Sequence, residues 1–175
     1  EDQLIGVAIT SGEDEVVLST ASGMSIRFTE KDARPMGRDA AGVNGISLGK
    51  DDQVVSMTVV EDEGALLTVC KHGFGKKTMF SEYRMQKRGG KGLIDIRTTK
   101  RNGAVVSAKA LSGDCDAMLM TSAGMLVRIS LADVRPIGRN TQGVRLIKVK
   151  KDDQVIGMEL VESAADEPEF EQEQE

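Results

Sequence analysis

Arg and Gly recur at fixed places in three seven-residue boxes: Met36-Gly37-Arg38-Asp39-Ala40-Ala41-Gly42, Gln86-Lys87-Arg88-Gly89-Gly90-Lys91-Gly92 and Ile137-Gly138-Arg139-Asn140-Thr141-Gln142-Gly143. Each box has Arg third and Gly seventh. A Gly-rich loop lets backbone N–H groups approach an anion closely, and an Arg fork beside it can grip a phosphate through two donors. The same glycines can also simply shape a turn. The first box carries Asp39, which repels phosphate, and the third has no Lys. The middle box, with Lys87, Arg88 and Lys91, is therefore expected to dominate anion binding.

The surrounding charge is segregated. Residues 71–101 hold ten bases against Glu82 and Asp95, and residues 135–151 hold six bases and no acid. Residues 51–70 hold five acids and no base. The formal net charge of the 175 residues is −5, but 163–175 contain six carboxylates and no base; the rest of the chain is +1. A net-acidic chain is thus compatible with a basic surface. The expected phosphate contacts are Arg38, Lys76, Lys77, Arg84, Lys87, Arg88, Lys91, Lys100, Arg101, Arg139, Arg145 and Lys148, with Gln86, Gly89, Gly90 and Gly92 of the middle box. Five aromatic residues in the whole chain argue against stacking on single strands. Cations without base-reading helices suit a duplex bound irrespective of sequence.

These boxes belong to a larger repeat. Leu4-Ile5, Val54-Val55, Val105-Val106 and Val155-Ile156 open apolar stretches 50, 51 and 50 residues apart. Gly23, Gly73 and Gly124 keep this spacing, as do Arg27, Lys77 and Arg128, and Ile46, Ile96 and Ile147. The repeats run 1–50, 51–101 and 102–150, with the first strand of a fourth at 152–161. Each repeat predicts four short strands. The first lies at 4–10, 54–60, 105–111 or 155–161. The second is a run such as Val16-Val17-Leu18, expected to be buried on both faces. A hairpin turn ends in Gly at positive φ. The third alternates, with Met24, Ile26 and Phe28 inward and Ser25, Arg27 and Thr29 outward. Lys76 stands where Ile26 and Val127 stand, which predicts a more exposed third strand in the middle repeat. The fourth strand lies around Ile46, Ile96 and Ile147. Four such strands make a propeller blade, so the fold class is all-β and propeller-like, with about three blades. The strand at 155–161 is expected to complete the third blade, and 4–10 to belong to a blade before the first.

The middle box differs by one residue, Lys87, from QRRGGKG, and the chain from 1 to 162 resembles the C-terminal domain of the bacterial DNA gyrase A protein. The fifty-residue period, Leu4-Ile5-Gly6-Val7, Gly138-Arg139-Asn140-Thr141-Gln142-Gly143-Val144 and the acidic end carry the resemblance. It implies a β-pinwheel, a propeller with strand exchange, of which this would be the last half, followed by an acidic disordered tail at 163–175. It implies wrapping of double-stranded DNA around a basic rim, in a cytoplasmic, nucleoid-associated type II topoisomerase that introduces negative supercoils. Gyrase B and a second copy of gyrase A would be partners through other parts of the chain. ATP and magnesium would be used on other domains or subunits, with no cofactor here. Two alternatives stay open: the related C-terminal domain of topoisomerase IV, and a propeller that binds a protein partner.

Catalytic and metal signatures are not expected. His72 is the single histidine, Cys70 and Cys115 stand 45 apart without a CxxC pair, and Gly90-Lys91-Gly92 lacks the Ser or Thr that follows the Lys of a phosphate-binding P-loop. Tyr83, the single tyrosine, has no surroundings resembling a DNA-cleaving site. No run approaches the roughly 20 apolar residues of a membrane span, and no signal peptide is visible. The first residue is Glu1, which fits a piece of a longer chain.

Overall fold

Apolar strands of about six residues, joined by glycine hairpins, cannot bury both faces alone; they stack as blades. A computed structural model describes residues 3–61 and 63–163. The strands are β1 (Glu15–Thr20), β2 (Met24–Thr29), β3 (Val54–Val59), β4 (Ala65–Cys70), β5 (Phe74–Met79), β6 (Leu93–Ile94), β7 (Val105–Leu111), β8 (Cys115–Thr121), β9 (Leu126–Ser130), β10 (Val144–Arg145) and β11 (Val155–Glu162). Two 3-10 turns, Glu30–Asp32 and Phe80–Glu82, follow β2 and β5. The described residues contain no α-helix.

Three antiparallel sheets form, in the orders β3-β1-β2-β6, β10-β5-β4-β7 and β11-β8-β9. Strand exchange is visible in those orders. Each blade is built on one repeat's hairpin; later strands of the chain close the first two on either side and the third on one side. β3 pairs with β1 from Val16↔Val59 to Thr20↔Val54, and β6 closes the other side through Met24↔Ile94. The second blade takes β7 and β10 in the same way. β11 completes the inner side of the third blade, as the sequence predicts.

Two predicted strands do not form, for one reason. Residues 3–14 contain no strand, and Leu4, Val7 and Ile9 are 89%, 87% and 100% exposed. Residues 43–48 contain no strand either, although Ile46 is buried. Their counterparts in later repeats all pair with the preceding blade, and no described residues supply a blade before the first. The acidic segment expected from 163 onward lies, beyond Ser163, outside the described residues.

The hairpin glycines behave as predicted: Gly23, Gly73 and Gly124 have φ of 86°, 76° and 81°. Asp52 and Asp153 pin two of these turns. Asp52 accepts from the Ser22 amide and hydroxyl, and Asp153 from the Ser122 hydroxyl and Ala123 amide. Burial opposes ionisation of Asp153, but bonds from Thr121, Ser122, Ala123 and Gln154 outweigh it and hold its pKa at about 2.

The core is aliphatic, as composition requires. Leu67, Val69, Leu119, Leu131 and Val155 join the second and third blades, while Ile26, Phe28 and Ile46 fill the first. Outward residues of β2 are largely covered, whereas those of β9 (Leu126, Arg128 and Ser130) are exposed. Ser25 is buried, bonded to Ser19 at 3.0 Å, and Arg27 pairs with Glu15 while donating to the carbonyls of Phe80 and Tyr83.

The middle blade corrects the expectation for Lys76. Its side chain is 0% exposed and pairs with Asp95 at 2.8 Å. Lys76 also donates to Thr78 Oγ1 at 2.6 Å, and Asp95 accepts from the hydroxyls of Thr68 (2.7 Å) and Tyr83 (2.5 Å). Burial pulls the Lys76 pKa down, against the Asp95 charge that supports its ammonium. Burial, then the same carboxylate, pushes the Tyr83 phenol up. Lys76 stands at the inward position of Ile26 and Val127, and the middle blade buries it, so it must bring its own partners inside.

Candidate nucleic-acid interface

Each box immediately precedes an outer strand or its counterpart. Gly92 leads into β6, at the outer edge of the first sheet, and Gly143 into β10, at the outer edge of the second. Both glycines have positive φ, 76° and 73°, and a Cβ on either would lie 2.5 Å from a carbonyl oxygen, of Ser25 or of Gly75. Gly42 has φ of 81° and nothing within 4 Å. Its Ala variant therefore meets only the left-handed backbone cost of about 1–2 kcal/mol. Gly92→Ala and Gly143→Ala meet that cost and a collision with the backbone of the adjacent strand, β2 or β5. Thermal denaturation should show both melting several degrees below Gly42→Ala, at roughly 2–4 °C per kcal/mol.

The box arginines do not present open forks. Arg88 donates through Nε to the carbonyl of Asp32 (2.8 Å) and through Nη1 to that of Asn44 (3.0 Å). Arg139 repeats the bracket one blade on, with Glu82 (2.7 Å) and Ile94 (3.1 Å). The acceptors lie 50 residues apart, as the repeat demands. Arg38, exposed in the first box, has no such bracket among the described residues. At Arg88 and Arg139 the guanidinium thus ties consecutive repeats together through Nε and Nη1. The box backbone is also engaged. The Gln86 amide donates to Arg27 (2.8 Å), the Gly89 amide to Gly45 (2.6 Å), and the Gly90 carbonyl accepts from Ser47 (2.9 Å).

The other predicted contacts divide by exposure. Lys76 lies in the core and has no surface to offer a phosphate. Lys77 is half-buried and donates to the Leu131 carbonyl at 3.1 Å. Gln86 is half-buried. Arg84, Lys87, Lys91, Lys100 and Lys148 are predicted contacts whose side chains have no hydrogen-bond or ion-pair partner among the described residues; Arg84, Lys87 and Lys91 are exposed. Arg101 and Arg145 come together over the ring of Phe74, at 4.6 and 5.2 Å from its centroid. The sequence reading missed Phe74 and the adjacent Lys150 and Lys151, although both lysines belong to the basic block at 135–151. It also missed the partners of Lys76.

No metal-holding group of His, Cys, Asp or Glu occurs among the described residues. Cys70 is buried in apolar surroundings, which raise its thiol to about 12. No helix among the described residues is long and apolar enough to cross a membrane.

A profile of the family described as DNA gyrase C-terminal domain, beta-propeller, matches residues 14–61, 65–112 and 116–162. The chain belongs to this family. Each matched segment runs from a blade's hairpin to the inner strand that completes the same sheet. Among similar proteins, the DNA gyrase A protein of Salmonella typhimurium is 47% identical over 170 residues, covering 97% of this chain and 19% of that protein. The DNA gyrase A protein of Escherichia coli is 47% identical over 167 residues, covering 95% and 19%. The chain thus spans about a fifth of the length of these curated relatives. A solved DNA gyrase A C-terminal domain matches with a TM-score of 0.77 at 26% identity, over 83% of this chain and 50% of that one. The C-terminal domain of DNA topoisomerase IV matches with a TM-score of 0.84, over 90% and 49%, but at 24% identity it shows only the shared fold. Sequence identity, not backbone similarity, favours the gyrase reading over topoisomerase IV.

Proposed function

We propose that this domain binds duplex DNA irrespective of sequence and bends it along the outer edges of its blades. The observation that carries the reading is the placement of Lys87 and Lys91. Both are exposed on a loop whose Arg88 is engaged by the carbonyls of Asp32 and Asn44, at the sheet edge where β6 closes the first blade. Bending a 20–30 bp site by 40–90° costs about 1–6 kcal/mol, so compensating contacts must be distributed along a curve. Basic loops repeated blade by blade provide that distribution. The parent protein is then gyrase A, part of a cytoplasmic type II topoisomerase. Its strand cleavage and its use of ATP and magnesium would lie on other domains or on the partner gyrase B.

Ring closure tests the reading. Ligation of a linear duplex near one persistence length, about 150 bp, should give more circles when the domain is present, and the gain should fade with added salt. Binding without any gain in circularisation would remove the bending role.

A further inference from the structure

A cleft of 510 Å³ opens where the second blade meets the third, and its cations are arranged unlike those of the boxes. His72, Phe74, Arg101, Arg145, Lys150 and Lys151 line it. Phe74 is 4% exposed and forms a fixed floor. The Arg101 and Arg145 guanidinium carbons lie 4.6 and 5.2 Å from the centre of that ring. Stacking orients a guanidinium by its face and leaves the N–H edge free for an oxyanion. Among the described residues, neither guanidinium has a hydrogen-bond or ion-pair partner, in contrast to Arg88 and Arg139. Asp152 and Asp153 share the cleft wall. Asp153 is turned to the hairpin of the third blade, and the two carboxylates face four cations, so the balance stays positive.

The fold repeats this cleft, which makes the difference informative. Between the first and second blades the corresponding space is lined by Ser22, Lys50, Thr98 and Lys100, among others. There the cross-strand pair is Met24↔Ile94, whereas here it is Phe74↔Arg145. The third repeat has Met125 at the Phe74 position. An aromatic floor with two arginines therefore occurs at one junction among the described blades and is not required by the architecture. A buried aromatic holding two arginines without carboxylate partners matches the chemistry of a phosphate-binding pair.

We propose that Arg101 and Arg145, held by Phe74 and flanked by Lys150 and Lys151, form a phosphate clamp that grips a backbone phosphodiester of the bound duplex. The clamp rests on the DNA-binding reading. Arg145 stands two residues after Gly143, the end of the third box, so the clamp continues the basic edge past that box toward the third blade.

Duplex affinity of the full chain, measured against salt, tests the clamp. Arg101→Gln with Arg145→Gln should flatten the log–log slope by about 1, because the one phosphodiester they neutralise together is lost. The affinity lost between about 50 and 200 mM salt should then shrink by roughly 3–4-fold. Arg101→Lys with Arg145→Lys should keep the slope and weaken binding, since charge survives but the fork does not. Phe74→Met, the residue of the other repeats, should weaken binding at unchanged slope. An unchanged slope in the Gln pair, with Lys87→Gln and Lys91→Gln still flattening it, overturns the clamp and leaves the DNA-binding reading intact. Absence of salt-dependent duplex binding by the parent chain overturns both. Pyrophosphate is the small-anion probe: if it shifts the Phe74 ring resonances while the Gln pair leaves the duplex slope unchanged, the cleft is a free-anion site and the duplex assignment fails.

Discussion

Asp95→Ala should destabilise the domain by about 3–5 kcal/mol, the cost of leaving a buried charge without its partner. The carboxylate is 1% exposed and serves three donors at once: Lys76, Thr68 and Tyr83. Removing it strands an ammonium and two hydroxyls in the core of the middle blade. The loss should depend on pH. Burial already lowers the Lys76 pKa, and without Asp95 nothing comparable opposes it. A lysine whose folded pKa is depressed holds fewer protons folded than unfolded, so stability rises with pH below the ordinary value of about 10.5. The deficit of Asp95→Ala should therefore narrow as pH rises. Replacing the group as a whole should be far milder, because neighbouring repeats are built without it. Val127 and Leu146 occupy the Lys76 and Asp95 positions in the third repeat. Lys76→Val with Asp95→Leu and Tyr83→Phe should recover most of the stability lost by Asp95→Ala. Urea denaturation measures all of these; an Asp95→Ala domain as stable as the parent would show that the ion pair is not a working part of the core.

That network marks where sequence reading ends. The period, the hairpin glycines and the inner strand supplied to each blade by the next repeat were all legible, because each leaves a residue type at a fixed spacing. Lys76 was not, because a Lys at an inward position was read as the mark of an exposed strand, whereas the middle blade buries it with an acid and two hydroxyls. Its partner Asp95 is 19 residues away, just past a strand that pairs with a different sheet, so no local pattern joins them. The brackets of the box arginines were hidden for a related reason. Arg at the third position was visible, but the acceptors of Arg88 are the backbone carbonyls of Asp32 and Asn44, and a carbonyl carries no sequence signature. Lys87 and Lys91 were legible as cations, and the structure adds that they are exposed where Arg88 is engaged.

The middle box should accordingly split into two roles that one pair of measurements separates. Lys87→Gln with Lys91→Gln should flatten the salt dependence of duplex binding by about 2 in log–log slope and leave the melting temperature unchanged. Both side chains are exposed, and among the described residues neither has a hydrogen-bond or ion-pair partner. Arg88→Gln should do the reverse. It removes two charge-assisted bonds from the second repeat to the first, and each such bond contributes about 1.5–3 kcal/mol where water is excluded and less on a partly exposed surface. A loss of about 1–3 kcal/mol, read as a lower melting temperature, is the expected result, with the slope near that of the parent. Duplex affinity would still fall, through loosening of the bracket that sets the distance between successive basic loops. The order of effects decides the matter. If Arg88→Gln flattens the slope by about 1 while the domain melts normally, Arg88 is a phosphate ligand and the bracket is incidental. If Lys87→Gln with Lys91→Gln leaves the slope untouched, DNA does not follow this edge of the blades. Arg139→Gln extends the test to the next junction: its bracket has the same geometry, but its box has no lysine, so it should lower the melting temperature with no charged neighbour in the box to confuse the reading.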